Sequence, residues 1–130
     1  MFIKNQIILS FLLLIPELSF AESSIDIGER IFKSKCSACH SLKQGDHMMG
    51  PSLHGVVGRQ AGTTGDFDFS LAMEQSNIIW SDRTLNQFME NPMDLISGTT
   101  MPFGGIRNSA DRSSLVDFLS FRSKRDRTDK

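Results

Sequence analysis

Two cysteines and a histidine stand close together in the run Cys36-Ser37-Ala38-Cys39-His40. Thiols three residues apart on one turn can reach the two vinyl groups along one edge of a porphyrin, and the next residue can place its imidazole beneath the metal. This C-x-x-C-H pattern is typical of haem attached through two thioether bonds. It predicts one haem c, held by Cys36 and Cys39, with His40 as a ligand of the iron.

Two other kinds of site use a Cys-x-x-Cys spacing, namely thioredoxin-like redox pairs and zinc sites. A zinc site with four thiolates is excluded because the chain has only two cysteines. A thioredoxin-like pair belongs to a βαβ pattern, which this sequence does not have. Covalent haem attachment is therefore the favoured interpretation.

Residues 1–21 have the features of a signal peptide that is cleaved after Ala21. Lys4 supplies the positive start, residues 7–15 form a short apolar core, and Ser19-Phe20-Ala21 offers small residues at a cleavage site. An uncleaved anchor is the alternative, but this apolar run is well short of the ~20 residues needed to span a bilayer. Export fits haem attachment outside the cytoplasm, so the expected compartment is the periplasm.

Charge is distributed unevenly over the exported part of the chain. Residues 22–121 hold eight basic and twelve acidic residues, a net charge of −4, whereas residues 122–130 hold five basic and two acidic residues. We expect one small domain over residues 22–122 and a charged tail over residues 123–130 that is a frayed helix end or disordered. Nucleic acid is not expected as a partner.

Periodicity and capping residues predict a few helices and no regular strands. A first helix should begin at Ser23 or Ser24 and end near Lys35, with Gly28 allowing the close approach of a last helix that begins near Asn108 or Ser109. Between them we expect a short helical piece over 69–75 and a helix over 82–90, stopped by Asn91-Pro92.

Five motifs in order give the sequence a specific resemblance. They are the C-x-x-C-H run, Gly-Pro-Ser-Leu-His-Gly-Val-Val-Gly-Arg at 50–59, Ile-Ile-Trp at 78–80, Glu-Asn-Pro at 90–92, and Gly-Thr-Thr-Met-Pro-Phe-Gly-Gly-Ile at 98–106. Over about residues 26–121 the chain resembles a class I cytochrome c of the mitochondrial and photosynthetic-bacterial type. The resemblance implies an all-α cytochrome c fold, with several helices and loops wrapped round one haem.

The resemblance also implies roles for single residues. Pro51 would offer its carbonyl to the imidazole of His40, and Met101 would supply the distal sulfur ligand. Arg59 and Trp80 would donate hydrogen bonds to a buried haem propionate. Met93 is the main rival to Met101, and the remaining methionines are expected to pack or lie at the surface. Two further histidines, His47 and His54, are expected to make structural hydrogen bonds.

The sequence departs from the family pattern in two respects. It contains no tyrosine, and the usual hydroxyl-bearing positions are occupied by Phe67, Phe69 and Phe88. The lysines that commonly surround the haem edge are also replaced, and these positions hold Met93, Asp94, Ser97, Thr99 and Thr100. We therefore expect docking through apolar contact rather than through a basic ring.

The expected function is one-electron transfer by a monomeric, non-enzymatic periplasmic carrier of a respiratory chain. A His/Met ligand pair leaves no open position on the iron. The expected partners are redox proteins: a membrane cytochrome complex, an oxidase or a periplasmic oxidoreductase. No stable membrane insertion is expected after signal cleavage. The alternative is a peroxidase-like haem enzyme or a gas sensor with a displaceable sixth ligand, which the missing hydroxyl at Phe88 brings into consideration.

Overall fold

A computed structural model describes residues 21–129 as helices joined by long loops. The helices are α1 (Ser24–Lys35), α2 (Leu71–Glu74), α3 (Asp82–Glu90), α4 (Pro92–Leu95) and α5 (Ser109–Thr128). Within the described residues, β structure is confined to one isolated bridge between Gln60 and Ile79. The all-α prediction is confirmed. The predicted signal peptide lies outside the described residues, apart from Ala21.

Side-chain caps begin the three longer helices where the sequence predicts them. The Ser23 hydroxyl accepts a hydrogen bond from the amide of Asp26 at the start of α1, and the Asn108 side chain accepts from the first amides of α5. Ser81 and Thr84 form a reciprocal capping box on α3. The short helix α4 was not predicted, although Pro92 at its first position, where no amide proton is needed, suits a helix start.

The close approach of α1 and α5 depends on Gly28, as predicted. A Cβ atom on Gly28 would lie 2.0 Å from the carbonyl oxygen of Ser114 and 2.7 Å from Cβ of Phe118. Next to this crossing the rings of Phe32 and Phe118 lie 5.7 Å apart. Only a residue without a side chain allows the two backbones to meet at this distance.

Helix α3 packs against α5 through polar contacts at both of its ends. The Ser120 hydroxyl donates to the Asp82 carboxylate. Arg112, which is 6% exposed, donates to the carbonyl oxygens of Ile106 and Arg107 and lies 3.2 Å from the carboxylate of Glu90. Arg112 thereby joins the end of α3, the start of α5 and the loop between them.

The C-terminal segment differs from the sequence expectation. Helix α5 continues to Thr128, so residues 123–128 are helical and not a frayed or disordered tail. Ser123 is fully buried, and Asp126 and Arg127 contact a loop near residue 55. These contacts join residues far apart in sequence, which explains why local composition did not predict them.

None of the helices within residues 21–129 is both long and apolar enough to cross a bilayer.

Candidate functional site

The helices and loops enclose a largely apolar cavity of about 440 Å³. This volume lies in the range of sites that bind small molecules and cofactors, about 300–1,000 Å³. All seven residues that the sequence marks as haem-binding or iron-ligating line it: Cys36, Cys39, His40, Pro51, Arg59, Trp80 and Met101. Residues up to 65 positions apart in sequence therefore meet in one place.

The two cysteines reach the cavity because the chain turns tightly where α1 ends. Cys36 caps the helix, and its carbonyl oxygen accepts hydrogen bonds from the amides of Cys39 and His40, at 3.0 and 2.9 Å. The two cysteines are not joined in a disulfide, so both sulfurs are available for thioether bonds. In the haem-free chain, burial raises the pKa of the Cys36 thiol to about 11.

The imidazole of His40 is fixed by two neighbours. Its Nδ1 lies 2.7 Å from the carbonyl oxygen of Pro51. Because a carbonyl can only accept, Nδ1 carries the proton and the lone pair remains on Nε2. Burial lowers the pKa of His40, which favours the neutral form that a metal needs. Gly50 packs against the ring, since a Cβ there would lie 2.4 Å from Cε1.

Met101 lies on a loop that is held at its far end. The amide of Ile106 donates to the carbonyl oxygen of Met89 at 2.7 Å, and Gly105 lies so close to Glu90 that a Cβ would be 2.0 Å from its carbonyl oxygen. The rival Met93 is 51% exposed and lies outside the cavity lining.

Three other methionines also line the cavity, namely Met49, Met73 and Met89. Met73 and Met89 are buried, whereas Met49 is 73% exposed, with its sulfur 3.8 Å from Sγ of Cys39. Both buried residues pack, as expected of core methionines. The preference for Met101 among these sulfurs rests on its Thr-Met-Pro-Phe motif.

Arg59 and Trp80 lie side by side on one wall of the cavity. The Trp80 amide donates to the carbonyl oxygen of Arg59 at 2.9 Å. Their chain neighbours Gln60 and Ile79 form the isolated bridge. The Arg59 guanidinium donates to the carbonyl oxygens of Ser52 and His54, and burial lowers its pKa. A cation and an indole are thus fixed together against the cavity.

The phenylalanines that replace tyrosines make this wall more apolar. Phe69 packs edge-on against Phe67 at 4.9 Å, and Phe88, which is 4% exposed, lies 5.0 Å from the ring of Trp80. One hydroxyl that the sequence analysis missed, that of Ser70, also lines the cavity and caps α2. Its position before a short helical run was the available signal.

One of the positions expected at the exposed edge is buried instead. Thr99 is only 8% exposed, and its hydroxyl lies 3.4 Å from the amide of Met101, which donates to it. The other four positions are exposed, as expected: Met93, Asp94, Ser97 and Thr100. Thr99 therefore belongs to the support of the Met101 loop and not to a docking edge.

The remaining histidines lie outside the cavity. His47 accepts a hydrogen bond from the amide of Ser52 at 3.0 Å, and Nδ1 of His54 is 3.3 Å from the Asp126 carboxylate. Both residues face a more open polar groove of about 670 Å³ that also borders Arg59. Their predicted structural role agrees with these contacts. Residues 21–129 contain no group of three or more His, Cys, Asp or Glu side chains placed to bind a metal ion.

The cavity residues fit a covalently attached haem. The apolar walls suit the porphyrin, the two thiols lie on one turn, and a neutral histidine presents a free ring nitrogen. The arginine and indole supply donors for a carboxylate at the same wall.

Comparison with known proteins agrees with this geometry. A family model for cytochrome c matches residues 25–121. Cytochrome c of Arabidopsis thaliana is 41% identical over 98 residues, covering 75% of this chain and 88% of the relative. Cytochrome c of Cochliobolus lunatus is 37% identical over 108 residues, covering 82% of this chain and all of the relative. Cytochrome c of Ginkgo biloba is 40% identical over 93 residues, covering 71% and 82%.

Proposed function

We propose that this chain, which belongs to the cytochrome c family of class I electron carriers with covalently bound haem c, is exported. It would work as a one-electron carrier in the periplasm. His40 and Met101 are the proposed axial ligands, and Cys36 and Cys39 the attachment points. One observation carries this assignment: all these residues line a single cavity in which Pro51 fixes the His40 imidazole at 2.7 Å.

Each of these residues has a defined task towards the haem. When bound, the haem supplies an iron that changes between the ferrous and ferric states. Pro51 and Gly50 hold the His40 ring in one orientation, so that the same nitrogen faces the metal in both states. Arg59 and Trp80 offer hydrogen bonds to a propionate, and the apolar walls exclude water. A site that stays the same in both states suits rapid electron transfer.

A carrier is favoured over the peroxidase-like enzyme or gas sensor. A peroxidase needs a distal acid–base group. Among residues 21–129 the cavity lining includes no carboxylate and no histidine besides His40. The loop with Met101 is held by Ile106 and Gly105, which opposes displacement of the sulfur.

The proposed partners are redox proteins that dock by apolar contact. They are a membrane cytochrome complex, an oxidase or a periplasmic oxidoreductase. Met49 is exposed and lines the cavity, so it lies at the cavity mouth, and Phe103 also lines the cavity. Over residues 22–130 the net charge is −1, so the chain as a whole has no positive charge with which to attract a strongly acidic partner. A monomer with a small docking surface suits fast turnover.

Fractionation and electron transfer test this proposal together. The full chain is expressed with a haem-attachment system, and the holoprotein should be recovered from the periplasm without its first 21 residues. It should show a reversible one-electron wave and be reduced and reoxidised by membranes that contain quinol-oxidising and oxygen-reducing complexes. Carbon monoxide binding by the wild-type ferrous protein, or rapid peroxide turnover, would favour the enzyme or sensor instead.

A further inference from the structure

The last two turns of α5 are fastened to the loop that holds Arg59. We call residues 52–59 the arginine loop and residues 123–127 the C-terminal turn. The Ser123 hydroxyl accepts a hydrogen bond from the Val57 amide at 3.1 Å, and the Asp126 carboxylate accepts from the Gly55 amide at 2.8 Å. Arg127 donates to the carbonyl oxygen of Val57 at 3.2 Å. The C-terminal turn lies beyond the part of the chain that the cytochrome c family model matches.

The contacts of Ser123 and Asp126 are sheltered from solvent, whereas that of Arg127 is exposed. Ser123 is fully buried, and the Asp126 side chain is 11% exposed, with the His54 ring 3.3 Å away. A hydrogen bond from a backbone amide to a carboxylate in such a place is stronger than one at the surface. The C-terminal turn therefore has the properties of a built contact rather than a loose helix end.

The same loop holds the guanidinium of Arg59 from the other side. Nη1 and Nη2 donate to the carbonyl oxygens of His54 and Ser52, at 2.9 and 3.1 Å. His54 is the residue next to Gly55, whose amide Asp126 binds. If the loop shifts, the two carbonyls shift with it, and the cation loses its fixed position at the wall of the haem cavity.

We propose that Ser123 and Asp126 are positioning residues for Arg59. They hold the arginine loop in the one arrangement that keeps the guanidinium against the haem cavity, and so they set the reduction potential from outside the site. This inference rests on the proposed function of the cavity. A cation held beside a haem disfavours the additional positive charge of the ferric state, so a loosened Arg59 should lower the potential.

The test uses the full holoprotein, four single variants of helix α5 and an Arg59→Gln background. Ser123→Ala removes an acceptor without changing charge, and Ser113→Ala, at an exposed position of the same helix, is its matched control. Asp126→Ala removes charge and acceptor, whereas Asp126→Asn removes the charge but keeps an oxygen for the Gly55 amide. The two Asp126 variants have the same charge, so their difference reports the loss of the acceptor and of the side-chain volume and not the loss of charge.

Hydrogen exchange measured by NMR gives a readout that does not depend on electron transfer. We expect exchange of the Val57 amide to rise about ten- to hundredfold in Ser123→Ala, with the same rise for the Gly55 amide in Asp126→Ala. The guanidinium protons of Arg59 should also exchange faster. Rates equal to those of Ser113→Ala would overturn the inference.

Voltammetry then tests whether the C-terminal turn affects the reduction potential through Arg59. Ser123→Ala should have a lower potential than Ser113→Ala, and Asp126→Ala a lower potential than Asp126→Asn. In an Arg59→Gln background neither substitution should shift the potential further. A shift that persists without Arg59, or no shift with faster exchange, would overturn the positioning role. A wild-type protein with no reversible wave would contradict the proposed carrier function instead. The exchange of the Arg59 protons would then show whether Ser123 and Asp126 position Arg59.

Discussion

His40 and Pro51 are joined by a hydrogen bond of 2.7 Å between the imidazole Nδ1 and the proline carbonyl oxygen. Gly50 precedes that proline and packs on the same ring. Gly50 and Pro51 together fix the orientation of the His40 ring in the cavity. They do so through backbone atoms, which no side-chain substitution removes. Crowding at Gly50 is the direct way to disturb it.

Gly50→Ala should displace the His40 ring and weaken its bond to iron. The new Cβ would lie 2.4 Å from Cε1, so either the ring or the backbone must move. Overpacking of this kind costs about 1–3 kcal/mol. Denaturant unfolding of the holoprotein should show that loss, and the absorption spectrum should gain a high-spin component.

Gly65→Ala provides the matched control for this substitution. A Cβ on Gly65 meets nothing within 4 Å, so stability and spectrum should remain those of the wild type. Equal behaviour of the two variants would contradict the assigned role of Gly50.

Met101→Ala should abolish the weak methionine-to-iron charge-transfer band of the ferric protein and open the iron to cyanide. This result is expected because Met101 is the proposed sixth ligand. Met93→Ala should leave the band intact, since Met93 is 51% exposed and outside the cavity lining. Met73→Leu and Met89→Leu test the two buried sulfurs of the cavity. Loss of the band in one of these variants, with Met101→Ala unaffected, would transfer the role.

Gly28→Ala should destabilise the packing of α1 on α5. A Cβ would lie 2.0 Å from the Ser114 carbonyl oxygen, which belongs to the backbone of a helix and cannot yield easily. The free energy of unfolding should fall by about 1–3 kcal/mol or more. Gly104→Ala, where a Cβ meets nothing within 4 Å, should change it little. A fall of equal size in both variants would mean that the crossing tolerates a wider spacing.

The haem-free chain should show unequal thiols if its turn at residues 36–40 resembles the structure. The thiolate is the reactive form, and burial raises the pKa of Cys36 to about 11. Alkylation at pH 8 should therefore modify the more exposed Cys39 before Cys36, and the rate at Cys36 should continue to rise above pH 9. Peptide mass spectrometry measures both rates. In urea the difference should disappear, and a difference that persisted there would have a local chemical cause.

The sequence was sufficient to predict the main helices and seven residues that meet in the cavity, for reasons visible in particular positions. Ser23, Ser81 and Asn108 cap helices through neighbours two or three residues away, so their role is local. The cavity residues were placed by motifs of known spacing. Gly28 predicted a close helix crossing because glycine destabilises a helix interior and is retained there where a side chain would not fit.

The features that were not predicted depend on contacts between distant residues. Asp126 binds an amide 71 residues earlier, and Ser123 binds one 66 residues earlier, so composition alone suggested a loose charged tail. Thr99 is buried where its loop lines the cavity, and no local sequence pattern reports that position. Long-range packing overrides local propensity at such positions.

Electron transfer to the physiological partner should depend only weakly on ionic strength. Exposed charges separated by more than a Debye length of about 8 Å are screened in physiological salt, and a lysine ring would give a steep dependence. Here the exposed residues of the cavity lining are Lys35, Met49, Thr100 and Pro102, so only one of them is charged, and residues 22–130 carry a net charge of −1. Stopped-flow rates over a range of salt concentrations measure the dependence.

The basic residues near the C-terminus need a control that leaves the fold intact. Deleting residues 123–130 would also remove Ser123 and Asp126 and so disturb the arginine loop. Neutralising the exposed Lys124 and Arg125 to alanine separates charge from packing. The haem spectrum should stay unchanged and the on-rate should change modestly, because the docking that we propose is mainly by contact at the cavity mouth. A steep salt dependence that this double variant abolished would show that the C-terminal charges, and not the residues round Met49 at the cavity mouth, recognise the partner.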